Sequence, residues 1–339
     1  ATDTFNTAVG YSAGSAVTTG VQNTFVGGLA GDALTDADFN VGIGYRALSA
    51  DTLGSRSVAI GYSALFNQNF TTATDAYNVA IGMEAGNSVT TGTNNTLIGG
   101  LAGDALTAAF ENTAVGESAL GADTLGRRTV AIGSGALQAQ NFTTATNSYN
   151  VAVGFDAGVL VTTGLRNTIL GSLAGDSLTD ADDNVVLGMD ALSADTLGSK
   201  TVAIGKGALN VQNFTTATDT YNTAVGYNAG TAVTTGVQNT FVGGTTGTST
   251  TDADFNVAMG YGALYTNTLG SKSTAIGVSA LQNQNYTTAT DSNNTAVGYV
   301  AGLSVTTGTQ NTFVGGLAGD GTDDGSQNTA VGYLALSAN

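Results

Sequence analysis

The 339-residue sequence contains no cysteine, histidine, proline or tryptophan, and it carries only eight basic residues. Each absence excludes something. Without cysteine there is no disulfide and no thiol nucleophile. Without histidine there is no Ser–His–Asp or Cys–His catalysis, and the usual zinc sites are gone as well. Eight basic residues against 25 acidic ones leave a net charge of −17. A polyanion of that size repels nucleic acid and anionic membrane surfaces, so no nucleic-acid partner is expected. No apolar run approaches the roughly 18 residues that a membrane helix needs, so no membrane insertion is expected either. Charged residues make up 10% and hydrophobic ones 42%, the reverse of a disordered composition. The chain opens without Met and without a basic-then-apolar leader, and reads as a segment of a longer protein or of a filament.

What the chain has in abundance is itself. The pentad "NTAVG" at 6–10 returns as "NTFVG" at 23, "NVGIG" at 40 and "SVAIG" at 57, then onward to "NTAVG" at 328. The spacing runs 17, 17, 17 and 21, a 72-residue supercell written four times, and the pentad occurs nineteen times in all. Residues 1–339 therefore read as a single continuous repeat array without distinct caps, its supercells starting near 6, 78, 150, 222 and 294. The second pentad position is always Thr or Val, the fourth is always aliphatic or Met, and the fifth is always Gly. This alternation predicts a strand, and 49 glycines rule out helices. Missing proline fits, because every rung must donate its ladder hydrogen bonds. The predicted fold is all-β: a parallel β-solenoid (a β-roll or β-helix) of nineteen 17-residue coils, every fourth one 21 residues long. At about 4.8 Å per rung, nineteen coils predict a rod of roughly 90 Å.

The β-branched second and fourth positions are expected to face the core, which turns the third position outward. That position is usually Ala, but in one coil type it is Phe25, Leu97, Ile169, Phe241 and Phe313. Large apolar side chains on an Ala-lined outer face predict an inter-chain seam. The first position is Asn in fifteen coils, and Ser57, Thr129, Thr201 and Ser273 open the four long ones. Stacked Asn side chains are expected to hydrogen-bond from coil to coil.

The unit "NTAVGYSAGSAVTTGVQNTFVGG" resembles the repeats of bacteriophage tail-fibre proteins and of bacterial proteins with a tail-fibre-type chaperone domain. "SVAIG" and "NVAIG" are similar to the head repeats of trimeric autotransporter adhesins of the YadA type. The resemblance covers essentially the whole chain. It implies a homotrimeric shaft or adhesive head at the virion surface or outside the cell, with a cell-surface glycan or receptor as partner.

No phosphate loop is present, since no GxxxxGK[ST] occurs. Acid pairs recur in the "TDAD" coil, and a catalytic site is normally written once, so no enzyme is expected and no cofactor is required. The same pairs, Asp36/Asp38, Asp180/Asp182 and Asp252/Asp254, supply hard oxygen ligands, and calcium is the one metal they suit. Arg56, Arg128, Lys200 and Lys272 recur once per supercell, and Asp51, Asp123 and Asp195 stand five residues before the first three, suggesting ion pairs within a turn. Each long coil carries an insertion such as "NQNFTTATDAYN". Its Asn69, Phe70, Thr71 and Thr72, with Asn141, Phe142, Asn213, Phe214, Asn285 and Tyr286, present an aromatic and hydroxyls suited to a sugar. The composite expectation is a structural and adhesive fibre segment. The rival is a subunit of a self-assembling extracellular filament.

Overall fold

The computed structural model describes residues 3–337 and falls into two compact units, Ala1–Arg166 and Asn167–Asn339. Each unit is a parallel β-solenoid without helix, with nine turns in the first and ten in the second. Every turn contributes one three-residue strand, pentad positions two to four. Successive strands pair parallel and in register, Thr7 on Thr24 on Val41 in the first unit and Thr168 on Val185 on Val202 in the second.

The pleat is inverted relative to the expectation. The third pentad position points inward and is fully buried, as at Ala59, Ala80 and Ala131, while the second and fourth face out. Phe25, Leu97, Ile169, Phe241 and Phe313 are at most 1% exposed, so they belong to the core of their own chain and form no seam. A 17-residue turn encloses a narrow interior. Two rows of β-branched side chains do not fit there, whereas one row of Ala does.

The large residue in every fourth turn fits because its neighbours shrink. A Cβ at Gly14 in the coil below would lie 2.9 Å from the Phe25 ring, one at Gly31 in its own coil 2.5 Å, and one at Gly42 in the coil above 3.1 Å. The third and fourth turns of each supercell, whose third pentad residue is smaller, put Leu at the position equivalent to Gly31, as at Leu48, Leu65 and Leu120, all buried, while the turn below the large residue keeps Gly there, as at Gly14, and yields its space to the ring. Bulk given up at one point of the core is thus supplied from another.

Two further ladders hold the corners. At the fifth position φ lies near +130 to +140°, and a Cβ on Gly27 would meet the Gly44 carbonyl oxygen at 2.4 Å, so only Gly fits. At the first position the Asn side chain stands inside and bonds to backbone of its own coil and of the next. Asn6 Oδ1 accepts from the Asn23 amide at 2.8 Å, and Asn23 Nδ2 donates to the Ala37 carbonyl at 2.7 Å. The predicted Asn ladder exists, running mainly from side chain to backbone instead of amide to amide.

Candidate assembly and attachment surfaces

With the pleat inverted, the outward sheet face consists of Thr or Val at position two and an aliphatic residue or Met at position four. Position two accepts Thr in eleven turns, but position four never accepts a polar residue, although Val26, Ile43, Ile132 and Leu170 are each more than a third exposed. An exposed strand position tolerates Thr on β-propensity alone. Its complete exclusion needs another cause. Tyr11, Tyr45, Tyr62, Tyr227 and Tyr261 flank this stripe one residue beyond the corner Gly and are also exposed; Tyr45 and Tyr62 stack at 5.8 Å. No charged residue occupies position two or four in any turn.

The long coils absorb their four extra residues in a bulge that pairs back on the coil below, Gly54–Ser55 on Thr74–Asp75 in the first supercell. Phe70, Phe142, Phe214 and Tyr286 turn inward beneath this bulge and are only 5–6% exposed, so these rings are structural plugs and are not presented to a ligand. A Cβ on Gly54 would touch the Phe70 ring at 2.7 Å, which shows how closely the plug seats. What the bulge leaves exposed is Asn69, Thr71 and Thr72, and likewise Asn141, Asn213 and Asn285. The Asn residues are fastened to the coil below: the Thr52 hydroxyl lies 3.0 Å from Asn69 Oδ1, and the Thr124 hydroxyl 3.1 Å from Asn141 Oδ1.

Under each plug lies a buried polar node that the sequence reading missed. Asp51 Oδ1 accepts from the amides of Gly54 at 3.1 Å and Phe70 at 3.2 Å, and Oδ2 accepts from Gln68 Nε2 at 2.6 Å. Gln68 also donates to Ser57 Oγ at 3.0 Å and accepts from Asn78 Nδ2 at 2.8 Å. The Asn ladder breaks where Ser57 replaces Asn, and Gln68 carries the connection across. Asp123 with Gln140 and Asp195 with Gln212 repeat the arrangement at 2.7 and 2.6 Å. Burial pushes all three carboxyl pKa values up, against the opposing pull of the Gln and amide donors. The signal was available, since Gln68, Gln140, Gln212 and Gln284 recur exactly one supercell apart within the insertion.

These acids do not pair with the basic column, which corrects the expected ion pair within the turn. Arg56 Nε instead meets Asp75 of the next coil at 2.9 Å, and Lys272 meets Asp291 at 2.6 Å. In the second supercell Asn147 stands where Asp75 does, and Arg128 turns to Glu111 in the coil below, at 2.7 Å. Lys200 bonds Asp219 and lies over the Tyr221 ring; the contact raises the lysine's pKa and lowers the acid's.

The calcium candidates are engaged with neighbouring coils. The Thr19 and Thr235 hydroxyls donate to Asp36 and Asp252, and the Val21 and Val237 amides donate to Asp38 and Asp254 at 2.7 Å. The Asp182 amide donates to Ser199 Oγ at 2.9 Å, two residues along from a further exposed-turn acid, Asp180. Among the described residues no three acidic, histidine or cysteine side chains gather as a metal-binding group. Among the described residues no helix is long and apolar enough to cross a membrane.

No protein-family model, curated protein or solved structure matches this chain.

Proposed function

We propose that the chain is a structural and adhesive fibre segment, the shaft or stalk of a tail-fibre-like protein at a virion or cell surface. Its chains associate through the outward Val/Ile face, as a homotrimer. The observation that carries this reading is position four, apolar in every turn although it faces outward and is exposed or half-buried. A nine-turn unit presents a stripe of about 43 Å by 10 Å at ~4.8 Å per rung and ~3.3 Å per residue. Paired with a like surface, that buries roughly 900 Å², close to the lower bound of about 1,000 Å² for a specific interface, and the flanking Tyr side chains add to it. The stripe carries no charge, so the −17 chains can approach there with the least local repulsion. The Asn-x-Thr-Thr crests of the long coils recur once per supercell and supply the attachment elements, gaining by multivalency what each lacks in area.

The test is mass in solution. Replacing Ile43, Ile60, Ile81 and Ile98 by Lys changes only outward-facing side chains, exposed or half-buried, so the fold should persist by far-UV circular dichroism. Light scattering should show the parent chain at three times its monomer mass and the variant as monomer. A monomeric parent overturns the reading. Open-ended growth with concentration, abolished by the same variant, points to the filament.

A further inference from the structure

The tenth residue of each coil forms an edge ladder, and one rung of it is missing. In the first supercell the ladder runs Asp32, Ser49, Phe66, and the Ser49 hydroxyl donates to Asp32 Oδ1 at 2.6 Å. In the third it runs Asp176, Ser193, Asn210. In the second it runs Asp104, Gly121, Gln138, so the middle coil contributes no side chain. The result is an open notch of about 290 Å³ lined by Leu101, Asp104, Ser118, Gly121, Ala122 and Gln138. A Cβ built on Gly121 would lie 3.1 Å from the Ser118 carbonyl oxygen, 3.4 Å from Asp104 Oδ1 and 3.7 Å from the Leu101 carbonyl oxygen.

We propose that this notch is a binding site for one neutral sugar residue, the acid, the carboxamide and the carbonyl oxygens taking its hydroxyls. The inference rests on the attachment half of the reading above and names its ligand class. One carboxylate, one carboxamide and two carbonyl oxygens form a set rich in acceptors, which calls for a ligand that donates several hydrogen bonds. No basic side chain lines the notch, so it has nothing to hold an anion. A bare cation is a poor fit too. Ca²⁺ needs six to eight oxygens converging at about 2.3–2.6 Å, and a cavity of about 290 Å³ is far larger than that shell. It sits instead at the small end of organic-ligand pockets, roughly 300 Å³. Leu101 and Ala122 supply the apolar wall that a sugar's C–H face requires. The notch occurs beside Gly121, the one Gly at the tenth position of any coil, as expected of a binding site, whereas scaffold features recur in every supercell. Burial and the nearby Glu84 charge raise the Asp104 pKa, consistent with a carboxyl set back from bulk water.

The natural ladder provides its own controls. Gly121→Ser restores the residue found at 49 and 193, and Gln138→Phe places the residue found at 66 and removes the carboxamide. The whole chain is titrated with the methyl glycosides of glucose, galactose and mannose and followed by saturation-transfer NMR. At least one glycoside should bind the parent, and should bind both Gly121→Ser and Gln138→Phe at least tenfold more weakly. The oligomeric mass should stay constant throughout, which keeps this test separate from that of the assembly face. Binding unchanged by Gly121→Ser would overturn the notch and leave the crests as attachment elements. Absence of binding by all three glycosides, or a response to Ca²⁺ alone, would overturn it as well.

Discussion

The turn that opens at Ser57 and the turn that opens at Ser273 have the same length and the same bulge, yet the first is built over an acid, Asp51, and the second over an amide, Asn267. Asn267 Oδ1 accepts from the Gly270 amide at 3.1 Å and lies 3.3 Å from Gln284 Nε2, while its Nδ2 donates to the Gly270 carbonyl at 2.7 Å. The plug changes with it. Tyr286 replaces Phe70, and its hydroxyl donates to the Gly308 carbonyl at 2.6 Å and accepts from Asn294 Nδ2 at 3.2 Å. Burial pushes the Tyr286 pKa up to about 12, so the hydroxyl keeps its proton. The comparison teaches that the node requires a hydrogen-bond acceptor at this point but no charge. In the first three supercells the charge is a cost that the surrounding donors offset.

The largest effect should come from removing the acceptor. Asp51→Leu strands the Gly54 and Phe70 amides and the Gln68 carboxamide in the interior, at about 1–3 kcal/mol for each unsatisfied group. A loss of at least about 3 kcal/mol in urea unfolding is expected, and a loss below about 1 kcal/mol would remove the node from the list of structural elements.

Keeping the acceptor and removing only the charge sharpens the comparison. Asp51, Asp123 and Asp195 have folded pKa values above the ordinary carboxylate value, so between those two values the folded chain binds more protons than the unfolded one. Their contribution to stability is therefore greatest below about pH 4, the unfolded aspartate value, and falls as pH rises through the folded values. Replacing all three by Asn should raise the urea midpoint at pH 7 relative to the parent and leave little difference below pH 4. Equal midpoints at both pH values would mean that the donors fully compensate the charge.

The smallest effect is expected at the other end of the comparison. Tyr286→Phe makes the fourth plug like the other three and should cost about 1 kcal/mol, the net worth of a hydrogen bond. A cost above about 2 kcal/mol would show that Gly308 and Asn294 depend on that hydroxyl.

The period, the strands, the corner Gly and the Asn ladder were legible because each is written as an identity at fixed spacing. Which face of the strand looks inward was not, because alternation fixes the contrast between the two faces without saying which is the core. The clue lay in size: a position that is usually Ala, with Phe25, Phe241 and Phe313 each set between two glycines such as Gly14 and Gly31, describes a tight interior. Phe70 looked like a displayed ring because an aromatic in an insertion carries no mark of direction. Asp51 and Arg56 looked paired because they are close along the chain. In a solenoid the near neighbour lies a coil away, and Arg56 finds Asp75 nineteen residues on.

The packing around Phe25 also determines how such a chain can change its length over evolutionary time. Its ring fits because the coil below supplies Gly14 and the coil above supplies Gly42. Unequal recombination that removes one 17-residue coil would set the ring against Leu or Ala from the wrong neighbour, and the core would clash or gape. Loss or gain of a whole 72-residue supercell brings each coil type back beside its usual partners, so the new junction is already packed. The array is thus free to lengthen or shorten only in steps of four turns, about 19 Å each, and lineages that need a longer or shorter reach have that step ready in the gene.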